Sequence, residues 1–201
     1  MKLYILASVI IFCIVIHHAI RRNSRISEKQ EKAFWDRERQ ANETRKKPLD
    51  DLNYIHIPLD RFPTQLLQEN ETVRDYINTI RGLAGKEIVN LTGYTNTDLK
   101  LQYGTANITA LSDYDQRYTL LVSTLQNWAD ALLEADHINE AVSLMEFAIE
   151  TETDVSRTYY HLAEYYSTTG EKEKLSGLIT TAEKLRSANR GPILRHLKEF
   201  E

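Results

Sequence analysis

The chain has 201 residues, a formal net charge of −4, and one cysteine, Cys13, inside an N-terminal apolar run. That excludes an intrachain disulfide, and it denies the rest of the chain a cysteine nucleophile or a thiolate metal site. Charge is unevenly divided: residues 1–47 hold 11 Lys plus Arg against 5 Asp plus Glu, whereas residues 48–201 hold 14 against 24. The acidic part has no basic face with interleaved aromatics, which argues against nucleic acid as a partner.

Residues 1–20 are expected to form a transmembrane anchor. Leu3 to Ile20 is interrupted only by Tyr4, Ser8, His17 and His18. As a helix it would span about 27 Å at 1.5 Å per residue, close to the thickness of a bilayer's hydrocarbon core. A cleaved signal peptide would need a basic n-region and a small-residue exit; only Lys2 precedes the run and His17-His18-Ala19-Ile20-Arg21-Arg22 closes it. Arg21, Arg22, Arg25, Lys29, Lys32, Arg37 and Arg39 follow. By the positive-inside rule they place the large C-terminal part in the cytoplasm, as a single-pass protein of the cell membrane. Four Asn-x-Ser/Thr sequons, at Asn42, Asn70, Asn90 and Asn107, point the other way only if the body is exported.

Residues 21–47 are expected to be a charged juxtamembrane helix. Ser27 and Gln30 have capping-box spacing, and no Gly or Pro intervenes before Pro48. Phe34 and Trp35 stand out in this stalk and are expected to dock on the body or to meet a partner helix. A sparse seam of Ile26, Ala33, Phe34 and Ala41 would serve coiled-coil pairing. Residues 48–62 read as an extended strap: Pro48, Pro58 and the adjoining Pro63 keep it out of any sheet centre, and Tyr54-Ile55-His56-Ile57 alternates.

From residue 63 to 201 the pattern is that of an all-α domain. Thr64 to Asn70 and Glu71 to Gly82 look like two short helices, the second with Val73, Tyr76, Ile77 and Ile80 on one face. Glycines break up residues 82–113, where Asp98 to Tyr103 would be a turn or two of helix. Residues 122–155 and 156–189 then repeat at an offset of 34. Leu125-x-x-Trp128-Ala129-x-x-Leu132 and Ala141-x-x-x-Met145-x-x-Ala148 correspond to Tyr159-x-x-Leu162-Ala163-x-x-Tyr166 and Leu175-x-x-x-Ile179-x-x-Ala182, with the turn at Asp136 and Gly170. Ile193 to Phe200 would be a capping helix.

This pattern resembles the tetratricopeptide repeat, which pairs antiparallel helices with a period of 34 residues. It departs from that pattern where the first helix has alanine in place of glycine, where Leu175 replaces a small residue, and where Thr153 and Ser187 replace the closing proline. The resemblance implies an αα-hairpin repeat body whose first helices line a concave face. Gln126, Asp130, Glu134, Arg157, Tyr160 and Glu164 would be its peptide-binding residues, with the acidic ones favouring a basic peptide. Arg45-Lys46-Lys47 would be a competing basic segment within the chain.

No catalytic constellation is legible. His56, His137, His161 and His196 are scattered without metal-ligand spacing, and neither a phosphate loop nor Gly-x-Ser-x-Gly occurs. No cofactor, metal or small-molecule substrate is implied. The expected function is that of a membrane-anchored adaptor or scaffold, held in lipid through residues 3–20 and binding a protein or peptide through its helical body. The alternatives are an enzyme with a site in residues 82–121 and a membrane-tethered structural spacer.

Overall fold

The structure, a computed structural model, describes residues 2–200; the side chains of residues 2–7, 9, 19 and 26 also lie outside the description. Its helices are α1 (Lys2–Glu43), α2 (Glu71–Leu83), α3 (Asn96–Tyr103), α4 (Ile108–Glu134), α5 (Ile138–Glu150), α6 (Ser156–Thr169), α7 (Lys172–Lys184) and α8 (Arg190–Leu197). Among the described residues the only β pairing is an isolated antiparallel bridge between Tyr54 and Val89. The all-α class is therefore established. The chain divides into two compact units: Met1–Pro48 with Thr95–Ile108, and Leu49–Tyr94 with Thr109–Glu201.

In the first unit α1 runs unbroken, so Ser27 lies inside a helix and caps nothing; the helix stops at Glu43, four residues before the expected end. Among the described residues no helix is long and apolar enough to cross a membrane. The anchor expected over Leu3–Ile20 rests partly on residues 3–7, 9 and 19, whose side chains lie outside the description. So does Ile26 of the expected seam. Within the run, Ile10, Ile11, Phe12, Ile14, Val15, Ile16 and Ile20 are each between 41% and 64% exposed. Phe34 and Trp35 lie edge to face at 5.3 Å and are each more than half exposed.

The far end of α1 packs on α3, and the contacts are polar. The Glu38 carboxylate accepts from Lys100 at 3.0 Å and from the Thr97 hydroxyl, and Arg37 pairs with Asp98. The Thr97 hydrogen bond and the Lys100 ammonium hold Glu38 below the usual carboxylate range. α3 begins in a reciprocal capping box, Thr95 with Asp98, which satisfies two otherwise orphaned amide donors. Asn107 is buried and donates to the carbonyls of Lys47 (2.7 Å) and Tyr103 (2.8 Å), and the Lys47 ammonium reaches the Leu101 carbonyl at 3.3 Å. Gly104, at φ 87°, is required here: a side chain would collide with the Arg45 carbonyl. Residues 95–108 thus group with the stalk, although the sequence places them in the body.

In the second unit the strap is tied by Ile55 N–H donating to the Ile88 carbonyl at 2.9 Å. It is not extended throughout; Leu59–Arg61 forms a 3-10 turn. Phe62 then enters the core, edge-on to Phe147 (5.2 Å) and Trp128 (6.0 Å). Trp128 is fully buried and its indole N–H has no partner among the described residues. Residues 64–69 form turns, not the expected helix, and α2 starts where Asn70 accepts from the amides of Thr72 and Val73. Its buried stripe is Val73, Ile77, Ile80 and Leu83; Tyr76 is half-buried.

α4 is one 27-residue helix that begins well before residue 122. Asp113 and Asp115 lie within it, and Asp115 accepts from the Leu91 amide at 3.1 Å. α6 packs against α5, α7 and α8. Every helical position aligned by the 34-residue offset is buried except Ile179, which is half-buried; Ala129 and Ala163 have no exposed surface. The turns after α4 and α6 share their geometry. Asp136 (φ 62°) and Gly170 (φ 76°) are left-handed, and the next amides, His137 and Glu171, donate to Leu132 (2.9 Å) and Tyr166 (2.8 Å). This is the Schellman pattern, which satisfies carbonyls left over at a helix end.

Candidate functional site

Two places in the second unit gather polar side chains: the face made by α4 and α6, and a cavity beside the strap. On the helix face three of the six expected residues, Gln126, Asp130 and Arg157, meet. Gln126 is buried; it donates to Asp130 at 2.6 Å and accepts from the Thr158 hydroxyl at 2.6 Å. Asp130 also pairs with Arg157 at 2.9 Å, and His161 Nε2 lies 3.7 Å away. Tyr160 is half-buried on the His196 ring, with centroids 4.0 Å apart, and Phe200 lies beyond at 5.4 Å from that histidine.

This changes the chemistry expected of the face. Gln126 is a structural link between α4 and α6, because a buried amide must be satisfied internally. Asp130 is compensated by Arg157, and its remaining oxygen capacity goes to Gln126. Glu134 and Glu164 alone stay exposed and without ion pairs among the described residues. The face is thus less acidic than three clustered carboxylates would make it. Thr158 and His161 complete the network; His161 lies one helical turn from both Arg157 and Glu164, whereas nothing in the spacing singles out Thr158.

The cavity has a volume of about 340 Å³. Its walls are strap residues 53–56, loop residues Asn90, Thr92 and Tyr94, the end of α5 with Glu150 to Glu152, and Lys184 to Arg186 at the end of α7. Asn90 organises one wall. Its amide nitrogen donates to the Tyr118 hydroxyl (2.9 Å) and to the carbonyls of Thr151 and Glu152 (3.0 Å each), while its oxygen accepts from the Thr92 amide. Burial pushes the Tyr118 phenol well above its ordinary range. Arg61 pairs with Glu150 at 3.1 Å, which leaves Glu152 as the uncompensated acid of the lining. Opposite stands Arg186, its guanidinium over the Tyr94 ring at 4.7 Å.

The cavity draws Asn90, Thr92 and Tyr94 from residues 82–121, the stretch least legible in sequence, but the remaining lining comes from elements on either side of it. Two of the four sequons are also accounted for: the amide nitrogens of Asn90 and Asn107 are occupied within the fold. Among the described residues no three His, Cys, Asp or Glu side chains cluster as a metal site would need. No family model matches the chain, and neither a curated protein nor a solved structure matches it.

Proposed function

We propose that the chain is a membrane-tethered adaptor: α1 anchors it through Leu3–Ile20, and its αα-hairpin, tetratricopeptide-like body binds a protein or peptide on the cytoplasmic side. The observation that carries the tether is the exposed apolar run from Ile10 to Ile20 on a helix that continues without a break into basic residues. Large apolar side chains in such a row are stable against lipid and costly against water. Arg21, Arg22, Arg25 and Lys29 follow on the same helix, which favours the cytoplasmic side. The repeat resemblance is supported by burial at the offset positions and by the matched turns at Asp136 and Gly170.

For the partner, the compensated Asp130 shifts the binding surface toward Glu134, Tyr160 and Glu164. A basic peptide remains the complementary ligand, its encounter screened by salt over about 8 to 10 Å. The test uses the full chain expressed in cells. Alkaline carbonate should fail to extract it from membranes, and deletion of residues 2–20 should release it. A basic peptide recovered by a photocrosslinker placed at the exposed Ser167 should be lost in Glu134→Lys/Glu164→Lys. Full extraction by carbonate would overturn the tether, and undiminished crosslinking in the double variant would overturn the binding face.

A further inference from the structure

We propose that the cavity between the strap, the Asn90–Tyr94 loop and the ends of α5 and α7 binds a small anion bearing carboxylate or phosphate groups. Its volume, about 340 Å³, falls within the range of small-molecule sites. Its charge runs against that of its surroundings. Residues 48–201 carry ten more acidic than basic side chains, yet this lining holds two of each, and Lys184 and Arg186 have no carboxylate partner among the described residues. One of its two acids, Glu150, is neutralised by Arg61. With Glu150 paired, the two cations face Glu152 alone, so a small anion meets less side-chain repulsion here than over most of the remaining body.

The cationic wall is also held in place. Gly93, at φ 86°, lets the loop backbone approach so closely that a Cβ there would lie 2.5 Å from the Cβ of Arg186. The Arg186 guanidinium lies 4.7 Å over the Tyr94 ring, and among the described residues no carboxylate pairs with it, so it can offer two N–H groups to a two-oxygen acceptor. The facing wall is fixed by the four hydrogen bonds of Asn90. A site whose groups are fixed in advance loses little entropy on binding. Asn53 and Thr92 add neutral hydrogen-bonding groups, and Glu152 provides an acceptor for a ligand hydroxyl. A hydroxylated polyacid or a phosphate ester matches this set.

The test is isothermal titration of the full chain in neutral detergent at low salt, with citrate and pyrophosphate as probes; it does not depend on the membrane tether. At least one probe should bind saturably, with one site per chain, and which one binds tells carboxylate from phosphate. Lys184→Gln/Arg186→Gln should weaken binding about tenfold or more, as expected for the loss of charge-assisted contacts. Lys172→Gln/Lys198→Gln, which removes the same charge elsewhere, should leave it unchanged. Circular dichroism checks the fold; were the first variant unfolded, Lys184→Gln alone decides, because Lys184 is exposed and pairs with no carboxylate among the described residues. The proposal is overturned if neither probe saturates at roughly 10 mM. It also fails if the cavity variant binds as the parent does, or if the control variant loses as much.

Discussion

Two residues 34 positions apart perform the same backbone task with different chemistry. Gly170 takes its left-handed conformation at no steric cost, whereas Asp136 has a Cβ close to its own carbonyl. The mismatch gives opposite signs on substitution. Gly170→Ala should destabilise the second unit by about 1 to 2 kcal/mol, because alanine must adopt a conformation that L-residues avoid. Asp136→Gly should be neutral or stabilising by up to about 1 kcal/mol. Denaturant midpoints of the two variants check this; equal losses would mean that the two turns are not equivalent. The sequence already paired these positions through the 34-residue offset. It could not show that Asp130 is spoken for, because Arg157 sits 27 positions away and the pairing depends on how α4 and α6 face each other.

At the scale of elements, the strap is held by one aromatic side chain more than by its single β bridge. Phe62 fills the space between Trp128 and Phe147, so Phe62→Ala removes its transfer free energy and leaves a cavity. A loss of about 3 to 5 kcal/mol is expected in equilibrium unfolding. A loss below about 1 kcal/mol would show that the strap is peripheral. The prolines made the strap readable, but not its anchor, since Phe62 looks no different in sequence from a strand residue. The misread stretch 64–70 has a local cause. Asn70 must stay extended (φ −80°, ψ 115°) to cap α2, and Leu67 turns left-handed (φ 52°), which no continuing helix allows. The stalk erred in the opposite direction: Ser27 has a cap's spacing, but with no break before it the helix simply propagates, since extension is cheaper than a new nucleus.

For the molecule as a whole, the core's vulnerability lies at alkaline pH. Tyr118, Tyr159 and Tyr166 are buried, and desolvation raises each phenol far above the ordinary value of 10. Tyr166 is raised further because it donates to Glu146, itself engaged by Lys174. A group whose pKa is raised by folding contributes stability that is complete below its unfolded value and drains away as pH climbs toward the folded one. Unfolding should therefore set in above about pH 10 and coincide with a cooperative rise in tyrosinate absorbance. A gradual, non-cooperative rise with the helical signal intact would contradict this. The helical class, the strap and the offset cores were legible because each rests on periodicity or proline. The cavity was not, because its walls come from four separated segments joined by a glycine, an asparagine and a cation over a ring.

The unbroken course of α1 makes it a mechanical shaft. With 42 residues it is about 63 Å long, and nothing in it, no proline, glycine or frayed turn, can absorb torsion. The angular position of Phe34 and Trp35 is therefore tied to that of Ile20 by an uninterrupted helix. Each residue added to or removed from the intervening stretch would swing that aromatic pair by about 100° and shift it by about 1.5 Å. The spacing between the apolar end and the ring pair is thus an angular setting as much as a length.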